Sequence, residues 1–321
     1  MSGMNFLEKL LDGVAVEWKL LGEIATVTIG EFVHKNKQDP SAKYPVYNGG
    51  TSHTGFYDQH NNTGNKVIVS ARGANAGFVN KISKPYWAGN SCYSIGIKNA
   101  KELNWSFVYY FMKLSENKLI GEQQKGGIPA VSKKQMETFQ IPIPCPENPD
   151  RSLAIQAEIV RILDTFTALT AELTAELTDR KKQYNYYRDR LLSFEEGEVE
   201  WKPLGTLATF SQGIQVDLLN QFTEKRKNSV RFLRIVDFVK YDEVPRYIEN
   251  PGQRYLKEVG HLVMIRYGAS AAGKVFLSHS GAIANNMFKI NLTTEKITTK
   301  FLYAYLSQPK IYNHLNSNGG T

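Results

Sequence analysis
The chain has 321 residues, 42% of them apolar, and carries 39 Lys+Arg against 31 Asp+Glu for a net charge of +8. That length suits two domains and a connecting element, the apolar share excludes a disordered chain, and the basic balance with 17 Tyr and 16 Phe points to a polyanionic partner. Two cysteines, Cys92 and Cys145, exclude a disulfide scaffold; no apolar run is long enough to span a membrane, and Glu8 and Asp12 stand where a signal peptide would be apolar, so a cytoplasmic protein is expected.

Residues 1–150 read as a first domain. Asn5–Leu11 has the pattern of the last turns of a helix, followed by Val16-Glu17-Trp18-Lys19-Leu20-Leu21-Gly22. The stretch Gly30–His60 is polar and rich in loop signals, with Asn48-Gly49-Gly50 and Thr63-Gly64-Asn65 as turns. Lys66–Ser70 and Ser91–Ile97, rich in Val, Ile and Tyr, predict strands, and Gly73–Gly77 a turn between strands. Phe107–Phe111 reads as an amphipathic helix. Ile141-Pro142-Ile143-Pro144 closes the domain, and Pro149-Asp150 hands the chain to the next element.

Residues 151–195 predict one long helix. Ile155, Ile159, Ile162, Phe166, Leu169, Leu173 and Leu177 follow one another at steps of three and four, and Tyr184 resumes the pattern. No Pro or Gly interrupts Ser152–Leu192, which would form a rod of roughly 60 Å. Within it the tetrapeptide Thr170-Ala171-Glu172-Leu173 is followed at once by Thr174-Ala175-Glu176-Leu177.

Residues 196–321 repeat the first domain. Val199-Glu200-Trp201-Lys202-Pro203-Leu204-Gly205 restates the segment around Trp18, and Gly268–Gly273 answers Gly73–Gly77. Ala284–Ile290 matches Gly89–Ile95, and Phe301–Tyr305 matches Phe107–Phe111. Val230–Val236 and His261–Arg266 predict strands, with Gly213–Arg254 as the divergent insert. Asn318-Gly319-Gly320-Thr321 aligns with Lys125-Gly126-Gly127-Ile128, so the second domain is expected to lack its C-terminal part. The fold class is α+β: two similar mixed domains separated by a long coiled-coil-type helix.

The sharpest enzyme-like signal is Gly268-Ala269-Ser270-Ala271-Ala272-Gly273-Lys274-Val275, close to a phosphate-binding loop. Val275 replaces the hydroxyl residue that would hold Mg²⁺, so no catalytic residue is assigned and no metal site is expected. DNA-contact candidates sit in or beside the glycine-rich loops: His34, Lys35, Lys37, Arg72 and Asn75 in the first copy, and Gln215, Arg231, Arg234, Arg266, Ser270 and Lys274 in the second. Arg and Lys pair with guanine edges or phosphate, and Asn and Gln with adenine.

Two copies headed by Glu17-Trp18-Lys19 and Glu200-Trp201-Lys202 resemble the specificity subunit (HsdS) of type I restriction–modification enzymes. So do Leu153-Ala154-Ile155-Gln156, Ile159–Asp164 and Arg180–Tyr184 in the long helix, and the tandem Thr-Ala-Glu-Leu resembles the IC group of that family. The resemblance implies two target-recognition domains, each reading half of a split site in double-stranded DNA, and a helix that sets their spacing and docks subunits. It implies a non-catalytic chain bound to two methyltransferase subunits and, through that core, to motor-nuclease subunits. S-adenosylmethionine, ATP and Mg²⁺ would then belong to the partners, none to this chain. A second conserved helix, which pairs with the first in the family, has no counterpart here, so the open seam is expected either to recruit a second chain, self-association included, or to remain a sticky surface. The alternative is an assembly scaffold that does not bind DNA.

Overall fold
The computed structural model describes residues 13–119, 129–195, 197–240, 242–267 and 272–317. The proposed helix 5–11 and the two Gly-Gly segments near residues 126 and 319 lie outside them. Packing divides the chain into two compact units, Met1–Leu173 and Thr174–Thr321. Among the described residues no helix is long and apolar enough to cross a membrane.

In the first unit β1 (Val16–Leu20) runs through a helical turn α1 (Leu21–Ile24) into β2 (Ala25–Ile29). There follow β3 (Tyr44–Tyr47), β4 (Gly55–Tyr57), β5 (Lys66–Ser70), β6 (Val79–Ile82), β7 (Trp87–Ala88) and β8 (Cys92–Ile97). Helices α2 (Trp105–Leu114), α3 (Glu116–Leu119) and α4 (Lys133–Glu137) precede β9 (Gln140–Pro144). The larger sheet has the order β2-β8-β5-β6, a smaller one β4-β3-β7, and among the described residues β1 pairs only with β9. β5 and β8 are apolar and almost wholly buried because both faces are covered. Val67 and Val69 face Phe107, Val108 and Met112 of α2, while Ile68 packs with Ile82, Tyr86 and Ala88. Asn104 caps α2 by accepting from the Ser106 and Phe107 amides.

Helix α5 (Pro149–Leu191) has 43 residues, about 65 Å at 1.5 Å each. Pro149 stands at its first position, where a missing N–H costs nothing, and Asn148 Oδ1 accepts from the Arg151 amide at 3.0 Å. Within this chain the apolar seam of α5 is buried unevenly along its length. Ile155 is buried, and Ile159 and Val160 pack on the first unit's core. Buried Gln156 accepts from the Asn104 amide (2.8 Å) and donates to Glu102 O and Ser152 Oγ (both 3.1 Å). Asp164 binds Lys81 Nζ at 2.7 Å and the Tyr110 hydroxyl at 2.5 Å. Ile162 is half-buried, whereas Phe166, Leu169, Leu173, Leu177 and Tyr184 are exposed. The reason is tertiary: the first turns of a seam-patterned helix find a domain surface to bury them, and the later ones remain open.

The second unit contains α6 (Leu204–Leu207), β10 (Ala208–Gln212), β11 (Ser229–Leu233), α7 (Val236–Val239), β12 (Arg246–Glu249) and β13 (Leu256–Lys257). β14 (Leu262–Ile265), β15 (Val275–Leu277), β16 (Gly281–Ile283) and β17 (Met287–Leu292) follow, then α8 (Thr299–Leu306) and α9 (Pro309–Ser317). Its larger sheet, β10-β17-β14-β15, has the strand order of β2-β8-β5-β6; in the smaller, β12-β11-β16-β13, the first three strands answer β4-β3-β7. β3 pairs in parallel with β7 as β11 does with β16. The duplication read from the sequence is therefore a duplication of topology.

Both inserts are more ordered than their loop signals suggest. Gly30–His60 contains β3, β4 and a 3₁₀ turn at Lys35–Lys37; Gly213–Arg254 contains β11, β12 and a 3₁₀ turn at Leu218–Asn220. Pro45 is tolerated in β3 because β7 pairs with Val46 and Tyr47, so no ladder bond to β7 is lost at Pro45. The predicted strand Val230–Val236 ends at Leu233, and α7 begins at Val236.

Gly30 and Gly213 occupy equivalent positions, each donating to the strand that pairs with β2 or β10 (Gly30 N to Cys92 O and Gly213 N to Met287 O, both 3.1 Å). A Cβ at Gly30 would stand 2.2 Å from Ala88 O, and one at Gly213 2.2 Å from Ala284 O. Because backbone blocks both, Gly30→Ala and Gly213→Ala are each expected to cost about 3 kcal/mol in the unit that carries them. Urea unfolding checks this, with the shift confined to that unit's transition.

Candidate nucleic-acid interface
Strand register brings the glycine-rich loops of each unit to one end of its larger sheet. In the first unit Ile29 pairs with Tyr93 and Val69 with the same Tyr93, so the chain leaves β2 and β5 and enters β8 at one end. The segment leaving β2 carries His34, Lys35 and Lys37; the one leaving β5 carries Arg72 and Asn75. All five are exposed. His34 precedes the 3₁₀ turn and packs edge-on to Phe32 at 4.8 Å. Arg72 Nη2 donates to Asn90 O at 3.0 Å, and Asn75 lies in the turn whose Gly73 and Gly77 adopt φ of 90° and 83°. Beneath this end Cys92 is buried, accepting from the Gly49 amide at 3.0 Å and donating to Tyr47 O at 3.3 Å. Burial pushes its thiol up to about 11, which suits a packing role.

In the second unit Gln212 pairs with Phe288 and Ile265 with Met287, which places Gln215, Arg266 and Lys274 at the matching end. Gln215 Oε1 accepts from Asn285 Nδ2 at 3.1 Å, and Gln212 Nε2 donates to Asn285 O at 3.3 Å. Arg266 lies 5.8 Å from the ring of Tyr267, and Lys274 Nζ 5.9 Å from that of Tyr312. Ser270 lies outside the described residues. Asn285 and Asn90 were not foreseen as members of this end; their place opposite Gln215 and Arg72 follows from strand register alone.

Arg231 and Arg234 stand apart from this group in chemistry. Arg231 Nη2 binds Asp237 Oδ1 at 2.5 Å and Arg234 Nε binds Oδ2 at 3.0 Å, with the Asp237 side chain 1% exposed. Arg234 Nη2 also reaches Glu243 Oε1 at 3.1 Å and Val244 O at 3.0 Å. Both guanidinium groups thus hold α7 and its flanks to β11. Asp237→Ala would leave two partly buried cations facing each other, at an expected cost of about 3 kcal/mol. A denaturant titration of the variant measures it. Among the described residues no ion pair engages Lys35, Lys37, Arg72, Arg266 or Lys274, and no three His, Cys, Asp or Glu are grouped as a metal site requires.

The equivalent 3₁₀ turns show what varies. The first presents Lys35-Asn36-Lys37; the second presents Leu218-Leu219-Asn220, with Leu219 95% exposed. Each turn is followed by a glutamine that donates back across it, Gln38 to Val33 O at 3.5 Å and Gln221 to Val216 O at 2.9 Å. One scaffold therefore displays two different outward surfaces.

Residues 14–180 match the family model of the type I restriction modification DNA specificity domain. The chain belongs to that family. It is 32% identical to the EcoprrI type I restriction enzyme specificity subunit of Escherichia coli, over 91% of this chain and 78% of that one. It is 39% identical to the EcoR124I/EcoR124II specificity subunit of the same species, over 66% of this chain and 53% of the relative's length. Among solved structures, a type I restriction-modification S subunit from M. genitalium shares the fold with a TM-score of 0.65 at 18% identity. The overlap covers 96% of this chain and 81% of that one. The two-unit, long-helix architecture is thus a specificity-subunit fold.

Proposed function
We propose that this chain is the DNA-reading subunit of a type I restriction–modification assembly. Each unit reads one half of a bipartite duplex target, and α5 sets the spacing of the halves and docks two methyltransferase subunits, through which motor-nuclease subunits join. The observation that carries this reading is the pair of equivalent turns: the same backbone, led by the same obligatory glycine, presents Lys-Asn-Lys in one unit and Leu-Leu-Asn in the other. A shared scaffold with divergent, outward-facing tips is what two readers of different sequences require, since base edges are read by side chains and the frame only positions them. A scaffold for proteins alone gives no account of the unpaired cations at that end. The chain supplies no chemistry itself; S-adenosylmethionine, ATP and Mg²⁺ are bound by the partners.

Replacing Gly30–His60 with the corresponding segment of a related subunit is expected to change one half of the methylated target and leave the other intact. Mapping modified positions after co-expression with the methyltransferase partner reads this directly. Altered bases in both halves would sink the modular assignment.

A further inference from the structure
The two 3₁₀ turns occupy one place in the fold and carry opposite chemistry. In the first unit Lys35-Asn36-Lys37 puts two cations there, suited to phosphate. In the second, Asp217-Leu218-Leu219-Asn220 carries no cation, and Leu218 and Leu219 are 70% and 95% exposed. The frame does not demand leucine, since solvated residues serve at the same positions of the first unit. Nor is the turn loose: Ile214 and Val216, on its stem, pack on the second unit's core. The Ile214 amide donates to Ile283 O at 2.9 Å, and Gln221 Nε2 donates back to Val216 O at 2.9 Å. Two leucines are thus held out into solvent on an anchored stem.

Between the two packed stem residues Gln215 is exposed, where the first unit has Phe32. Asn285 Nδ2 donates to its Oε1 at 3.1 Å, and the Asn285 backbone carbonyl accepts from Gln212 Nε2 at 3.3 Å. The first of these bonds steadies the Gln215 amide. Among the described residues it leaves Gln215 Nε2 and one lone pair of Oε1 without a partner.

We propose that the half-site of the second unit contains A·T pairs read in the major groove, Leu219 packing on a thymine methyl and Gln215 holding an adenine, with Asn285 as the positioning residue. The inference rests on the DNA-reading role. The thymine methyl is the apolar group on a major-groove base edge, and adenine presents N7 as acceptor beside N6 as donor. Gln215 Nε2 donates to N7, and its Oε1 accepts from N6. A turn with Asp217 and no cation is repelled by phosphate, so it suits the base edges; Arg266 and Lys274, at the same end, take the backbone. A protein partner fits the tip less well, because two leucines fall far short of the about 800 Å² per side that a stable protein interface buries.

The test uses the full chain in complex with the methyltransferase partner, bound to its mapped target. The second unit's half is the one that the Gly30–His60 exchange leaves unchanged. Replacing its thymines one at a time by deoxyuridine removes only the methyl and should weaken binding about fourfold at one position. Leu219→Ala should abolish that response to uracil. Replacing its adenines by 7-deazaadenine should cost about tenfold at one position, a loss that disappears in Gln215→Ala and shrinks in Asn285→Ala. Each variant should keep the affinity of the parent for a duplex in which this half is scrambled. A half without an A·T pair, or binding indifferent to both base analogues, would overturn the assignment and leave the DNA-reading role standing. So would a Leu219→Ala chain that loses the methyltransferase partner yet keeps its response to uracil, since the tip would then be a protein contact. A complex that binds no duplex at any salt concentration would remove the DNA-reading role and this assignment together.

Discussion
If α5 sets the spacing as proposed, deleting Thr174–Leu177 is expected to shorten the gap between the two methylated half-sites by one to two base pairs and to leave both half-sites unchanged. One Thr-Ala-Glu-Leu unit adds about 6 Å of helix and roughly 400° of rotation. Base pairs follow one another at about 3.4 Å, so a unit corresponds to a little under two of them. The residual turn of about 40° is small enough for the duplex or the loops to absorb. Helix α5 runs unbroken through both copies of the tetrapeptide, and Leu173 and Leu177, each 55% exposed, are not locked into either core. Removing one unit therefore costs no buried contact, and the remaining seam keeps its spacing. Methylation mapping of the deletion variant checks the result; an unchanged gap, or altered half-sites, would end the ruler reading.

On the proposed DNA-reading role, affinity for duplex DNA is expected to fall about 500-fold between 50 mM and 200 mM salt. The figure follows from counting only the DNA-contact candidates at the loop ends that no carboxylate neutralises among the described residues: Lys35, Lys37, Arg72, Arg266 and Lys274. If each displaces one counterion from a phosphate, the logarithmic slope is about −4.5. Arg231 and Arg234 are left out because Asp237 and Glu243 already hold them. Lys35→Ala combined with Lys37→Ala should reduce the slope by about two. Titrations at several salt concentrations give the slope; a flat response would remove DNA as the partner.

The duplication, the extent of α5, strands β5, β8 and β14 and helices α2 and α8 were all legible in the sequence. Their signals are local, carried by apolar periodicity, β-branched runs and glycines at turns. The loops bearing His34, Arg72, Gln215 and Lys274 were legible for the same reason, because a turn residue announces itself wherever it stands. What each side chain does there was decided by tertiary structure. Arg234 and Arg266 look alike in the sequence, but Asp237 folds back on the first and, among the described residues, no acid pairs with the second. Register alone brought Asn285 to Gln215. The long helix shows the same division: its repeat sets a seam, while the surface offered by the first unit determines that Ile155 and Gln156 are buried and Phe166 is not. Val16–Leu20 and residues 199–203 share Val-Glu-Trp-Lys, yet only the first is a strand. A strand needs a hydrogen-bonding neighbour, and the partner at Gln140–Pro144 is more than a hundred residues away in the chain, beyond the reach of any local pattern.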